Sequence, residues 1–240
     1  MTEPQIIIGI PGLWKSRTEL VQEVVSNSGG YILAGNIINH MDKDISFEID
    51  VYDYDPSLGE AFLYASGGRF DQEWIHKLEE HTHTVYVIAN VGDIQSIKEV
   101  IDVGMALLNA GGIALKIETV GVVYSKEEWK ELADNKEEFP IYSHVVTLVG
   151  EEDGYYSCGM QAFALPDVIV HTSMNPEEVA NLLNDFNLYN LVEKPKLKDG
   201  DTISFTENSP MYKVSYCEDY RYEQDDLFYN PCGLWKLEQV

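Results

Sequence analysis

Gln5-Ile6-Ile7-Ile8-Gly9-Ile10-Pro11-Gly12-Leu13-Trp14-Lys15-Ser16 is the stretch from which the fold is best read. The β-branched run Ile6 to Ile10, ended by Pro11-Gly12, predicts a buried strand entering a loop. A strand followed by a loop ending in Lys-Ser has the layout of a P-loop. That motif needs glycine before the lysine so that backbone amides can curl around a phosphate, and here Trp14 stands in that place. Gly12, Lys15 and Ser16 are left as candidates for holding a lone anion, or a nucleotide, at a helix N-terminus. The plainer reading makes Ser16 a helix cap and Trp14 a packing residue.

Outward from this loop, Ser16 and Glu19 form a capping box for a helix carrying Leu20, Val21, Val24 and Val25 and stopped by Gly29-Gly30. Tyr31 to Asn39 predicts a second strand, and Phe47, Ile49 and Val51 alternate with Glu48, Asp50 and Tyr52 in a third that has one wet face. A short helical stretch around Ala61-Phe62 is followed by one capped by Asp71 with Trp74, Leu78 and His81 along a stripe, then by a strand from Thr84 to Ala89. This order, βαββαβ, is that of a ferredoxin-like start. Asp93 precedes a long amphipathic helix through Leu108, and Ile113 to Ile117 returns as a strand. Ser125 and Glu128 cap a further helix ending before Pro140. Ser143 to Val149 and Tyr155 to Met160 flank Gly150 to Gly154 as a hairpin, Val168 to Val170 is another strand, and Asn175-Pro176 opens a last helix. From Lys194 onward short strands and loops are expected. The tail from Glu218 to Asp226 sets five acids and one arginine among tyrosines, a segment suited to wrapping the body or meeting a partner.

The expected fold class is α+β: a mixed, mainly antiparallel sheet with helices packed on it. With no repeat or linker in 240 residues, one compact unit over 1–240 is expected, the alternative being two related halves, 1–118 and 119–240. The chain is 45% apolar and 24% charged, so it can form a core, and its formal charge is −25. Acids outnumber bases 18 to 7 in residues 1–120 and 23 to 9 in 121–240. No basic face can gather phosphates, which argues against nucleic acid and an anionic membrane surface as partners and leaves a basic protein as the partner such a charge would favour. Cys158, Cys217 and Cys232 form no CxxC pair, and an odd count suits reduced thiols of the cytoplasm; no signal peptide or membrane span is expected.

Three further groups carry chemistry-bearing side chains. His81 and His83 would share a face if extended, the spacing of paired metal ligands, against a plainer reading of a helix-end histidine and a surface strand residue. Cys158 with His144 on the opposing arm of the hairpin could form a thiol and base pair, against a small buried thiol facing a structural histidine. Asp53 and Asp55 could hold a cation, or Asp55-Pro56 could simply start a turn. No hydrolase elbow, zinc quartet or His-Glu-x-x-His occurs, and no cofactor is implied.

Gly9 to Trp14, Tyr155-Tyr156-Ser157-Cys158-Gly159-Met160, Phe163-Ala164-Leu165-Pro166-Asp167 and Asp199-Gly200-Asp201-Thr202 together resemble an uncharacterised bacterial family, domain of unknown function 4261. Similar proteins usually carry glycine where this chain has Ala164. The resemblance implies an α+β intracellular bacterial protein and transfers no catalytic residue. The segment Gly159 to Asp167 is expected to be a structural corner, with Gln161 and Asp167 bracketing an apolar turn that could also bind. The function expected from all this is a non-enzymatic, acidic, cytoplasmic binding protein. The alternatives are a small-molecule or metal-dependent enzyme at His81/His83 or Cys158/His144, and anion binding at Gly9 to Ser16.

Overall fold

Alternating burial along the strands separates two layered assemblies. The computed structural model describes residues 3–205 and 210–240, and the chain is α+β with two mostly antiparallel sheets. Contacts divide it into two compact units, one of Gln5–Asn90 with Ile94–Ile141, the other of Met1–Pro4, Val91–Asp93 and Tyr142–Val240. The main change of unit along the chain thus falls between Ile141 and Tyr142.

The first unit runs β1 (Gln5–Gly12), α1 (Arg17–Asn27), β2 (Tyr31–Ala34), β3 (Ile37–His40), β4 (Ser46–Asp53), α2 (Leu58–Ala65), α3 (Gln72–Glu79), β5 (His83–Asn90), α4 (Ile94–Asn109), β6 (Ala114–Ile117), β7 (Val122–Ser125) and α5 (Lys126–Asp134). Its sheet has the order β2-β3-β4-β5-β1-β6-β7, every pair antiparallel. The expected second strand is in fact a hairpin, because Gly35, at φ +62°, turns the chain with Asn36 between Ala34 and Ile37. The ferredoxin-like start is not confirmed: β1 lies between β5 and β6 and antiparallel to both, without the parallel central pair of a split βαβ unit.

One face of this sheet buries Ile6, Ile8, Ile10, Ile49, Val85, Val87 and Ile117. The long helix α4 turns Ile97, Val100, Ile101 and Leu108 into the core, and α5 docks beside it through Trp129, whose indole N–H donates to the Ile101 carbonyl at 3.2 Å. A Cβ at Gly104 would stand 2.8 Å from the Trp129 Nε1, so glycine in mid-helix permits the close approach of α4 and α5.

The second unit holds the end of α6 (Glu138–Val145), then β8 (Thr147–Gly150), β9 (Gly154–Cys158), a 3-10 turn over Met160–Phe163, β10 (Asp167–His171), α7 (Pro176–Glu193), β11 (Thr202–Ile203), β12 (Tyr212–Cys217) and β13 (Leu234–Gln239). The sheet order is β11-β12-β13-β10-β9-β8, and β10 and β13 run parallel. On one face Val168, Val170, Val214 and Leu237 pack against Val179, Leu182, Leu183 and Phe186 of α7. On the other, Tyr156, Cys158 and Ile169 are covered by Tyr222 of the acidic tail and by Phe228 just beyond it, so the tail wraps the body of its own unit. No helix among the described residues is long and apolar enough to cross a membrane.

Candidate functional site

Asp167 opens β10 fully buried, and a buried carboxylate is stable only with charge and hydrogen bonds around it. The tail supplies them. Arg221 donates through one terminal nitrogen to Asp167 Oδ2 and to Asp219 Oδ2, each at 2.9 Å, through Nε to Asp219 Oδ1 at 2.9 Å, and through the other nitrogen to the Ser157 carbonyl at 2.8 Å. Asn230 donates its side-chain amide to Asp167 Oδ2 at 3.0 Å and its backbone N–H to Asp219 Oδ2 at 3.0 Å. Met160 N–H and the Ser157 hydroxyl complete the shell of Asp167 at 3.1 and 3.3 Å. The guanidinium lies 4.5 Å from the centre of the Tyr156 ring, and Tyr156 and Tyr222 join their hydroxyls at 2.6 Å.

Two carboxyl groups share one guanidinium nitrogen here. Burial pushes the Asp167 carboxyl above its ordinary value against the pull of Arg221 and the hydrogen bonds of Asn230 and Met160. For Arg221, burial works against the charged form, but the bonds to Asp219 and the charge of Asp167 outweigh it and hold the guanidinium protonated.

Above this cluster opens a cleft of about 410 Å³ whose walls include Tyr216, Glu218, Asp219, Gln224, Tyr229 and Gly233. Gly233 has φ +84°, and a Cβ there would meet the Cys217 carbonyl and the Tyr216 hydroxyl at 2.6 Å, so this position is confined to glycine and lets the end of β12 and the start of β13 close together. Tyr216 donates to the Cys232 carbonyl at 3.0 Å, fixing one aromatic wall. The nearby cations are engaged: the Arg221 side chain is only 4% exposed, and the Lys236 ammonium sits 4.4 Å from the Tyr220 ring centre. What the cleft offers is carboxylate, amide and phenol, a set that favours a cationic group.

Residues 156–238 match the family described as Domain of unknown function (DUF4261). The matched segment runs from β9 to the last strand and contains the Arg221 cluster and the cleft entire. No curated protein and no solved structure matches the chain.

Trp14 is buried, its indole N–H donating to the Ala110 carbonyl at 2.6 Å, and a Cβ at Gly12 would lie 2.4 Å from its ring. Ser16 caps α1 by accepting from Glu19 N–H, while the Glu19 carboxylate accepts from Lys15 N–H at 2.9 Å. A carboxylate of the chain itself thus takes up the backbone N–H of Lys15. His81 is 2% exposed and precedes β5 rather than sharing its face with His83. Its Nε2 accepts from Asp55 N–H at 3.2 Å, which leaves the proton on Nδ1 to be donated to the Leu78 carbonyl at 2.9 Å. His83 places Nδ1 2.7 Å from the Trp14 carbonyl and Nε2 3.5 Å from Asp53. Among the described residues no group of three histidine, cysteine or acidic side chains could hold a metal ion. Asp55 accepts from both the N–H and the hydroxyl of Ser57, the geometry of a turn starter, and its carboxyl is held low by those bonds.

His144 does not lie across the hairpin from Cys158. It sits in the last turn of α6, where Pro140 fits near the N-terminus of a second helix, and the partner of Cys158 across the strands is Thr147. The Cys158 thiol is driven strongly upward by burial and by the charge of Asp167, the reverse of what a thiolate nucleophile requires. The corner Met160–Phe163 is buried, with Gly159 at φ +119° and a would-be Cβ 2.1 Å from the Val145 carbonyl. Ala164 takes a left-handed φ of 55°, a conformation glycine would adopt without cost. Arg221 and Asn230 were not singled out by sequence reasoning. The available signal was one arginine among five acids in a segment dotted with tyrosines, a pattern of internal neutralisation.

Proposed function

We propose that the chain is an acidic, non-enzymatic binding protein of the bacterial cytoplasm that takes a basic protein partner, and that the tail cleft of the DUF4261 segment is where a cationic side chain enters. The observation that carries this reading is the disposition of charge. Arg221 and Lys236 are occupied internally, whereas Glu218 stands exposed on the rim beside the Tyr216 and Tyr229 rings. An aromatic wall with an adjacent carboxylate suits an ammonium or guanidinium, through cation–π attraction and charge-assisted hydrogen bonds. The net charge of −25 adds long-range attraction that accelerates encounter at low salt.

A labelled lysine- and arginine-rich peptide titrated into the whole protein tests it. Glu218→Gln should weaken binding by about 5- to 10-fold, on the order of 1 kcal/mol for a rim contact, while Glu177→Gln, an exposed residue of α7 that removes the same charge, should leave it within about 2-fold. Equal effects of the two substitutions would mean that only bulk charge is felt and would sink the cleft as the site.

A further inference from the structure

Strand β4 is longer than the hairpin that covers its outer edge. β3 pairs with it only from Ser46 to Glu48, and the last bond across that side runs from Ile49 N–H to the Asn36 carbonyl at 2.8 Å, where the Gly35-Asn36 turn ends the hairpin. On the inner side β5 pairs with β4 through to Asp53. Since backbone groups alternate along a strand, those of odd-numbered residues point as Ile49 does, toward the outer edge. Val51 and Asp53 therefore present their N–H and C=O groups outward, and among the described residues these backbone groups have no partner. The open edge from Asp50 to Asp53 is about 13 Å long.

The side chains along this edge are of two kinds. Glu48, Asp50 and Tyr52 share one face and are exposed, Tyr52 edge-on to the Tyr86 ring at 5.5 Å, whereas Phe47, Ile49 and Val51 turn to the apolar face. An unpaired edge is a template for another strand, and charges on it select which strand that can be. A second copy of this chain would bring its own acids against Asp50, Asp53 and Asp55 and be repelled.

We propose that the outer edge of β4 beyond Ile49 binds an extended segment of a basic partner protein as an added strand, with lysine or arginine on the face of Asp50 and Tyr52 and a β-branched residue on the face of Val51. The proposal rests on the reading of the chain as a binder of basic proteins, but it places a second contact on the other unit of the chain, on residues outside the matched segment 156–238. Backbone pairing supplies the geometry, and the carboxylates supply the choice of partner.

The probe is an end-blocked octapeptide of alternating lysine and valine, added to the whole protein at low salt, with amide hydrogen exchange followed by NMR. Exchange at Val51 and Asp53 should be fast in the free protein and slow by at least about 10-fold at saturation. Val51→Pro removes an outward N–H without touching the bonds to β5, and should weaken the peptide by about 10-fold with little change in melting temperature. Should that variant unfold, a peptide N-methylated at alternate residues serves instead: methylation along one edge should abolish binding, and along the other it should not. Peptide binding that protects only residues 216–233 would overturn this proposal and leave the cleft reading standing, while no binding at either place would remove both. Protection of Val51 in a dimer without peptide would overturn it in favour of self-pairing.

Discussion

Arg221 is held by two carboxylates, a carbonyl and two aromatic rings, and its removal leaves Asp167 and Asp219 buried without a counter-charge. Breaking a buried pair from one side is far costlier than replacing the whole of it, so Arg221→Met should lower the unfolding free energy by about 3–5 kcal/mol in urea denaturation. Combining it with Asp167→Asn and Asp219→Asn should restore most of that loss. The single variant also has a pH signature. Burial already pushes the Asp167 carboxyl up, and without the guanidinium it must rise further. A carboxyl whose folded pKa exceeds its unfolded one binds the extra proton in the folded state, so its stability is highest at acid pH and falls as pH rises through the folded value. The deficit of Arg221→Met should accordingly be smaller at pH 4 than at pH 8, and a deficit unchanged between the two would show that Asp167 does not feel the missing charge.

At the scale of elements, what could be read from the sequence was what is fixed within a few residues. Ser125 and Glu128 form a reciprocal capping box in the folded chain, with the Ser125 N–H donating to Glu128 at 2.7 Å and the Glu128 N–H to Ser125 at 3.1 Å. Ser125→Ala should lower thermal stability by the equivalent of about 1 kcal/mol, whereas a change within 0.3 kcal/mol would deny the cap any energetic role. Asp71 and Asn175 cap α3 and α7 in the same local way, and the tight hairpin of β8 and β9 closes through Glu151 N–H to the Gly154 carbonyl. Elements decided elsewhere were misjudged. The run Tyr31 to Asn39 hides a turn because Gly35-Asn36 sits amid β-branched residues, and α6 was missed because proline in a first turn looks the same as proline after a last one. The position of β1 between β5 and β6 depends on pairings dozens of residues apart, which no local pattern encodes. The same limit applies to the site: Ser157, Asp167, Arg221 and Asn230 meet only through tertiary closure, while the histidine pair, attractive by spacing, is spent on the backbone around it.

Over the whole molecule, the 15 tyrosines make alkaline pH the sensitive direction. Burial, aided by the charges of Asp102 and Glu99, pushes the Tyr31 phenol up to about 12; burial and Glu118 do the same for Tyr86, and burial for Tyr142 despite its bond with Asn187. A phenol raised above its ordinary value of 10 keeps its proton in the folded state over the interval in which the unfolded chain has lost it. The proton therefore favours folding below pH 10, and that contribution disappears as pH rises through the folded values near 12. Negative self-repulsion from the excess of acids acts in the same sense, since each phenolate adds to a charge already at −25. Tyr31 and Tyr86 belong to one unit and Tyr142 to the other, so both should weaken. Circular dichroism followed with phenolate absorbance at several ionic strengths should show unfolding between pH 10 and 12, displaced to higher pH by added salt. Smooth ionisation of every tyrosine near pH 10 with the fold intact would mean that these rings are not held away from water, and would remove the packing on which both sheets depend.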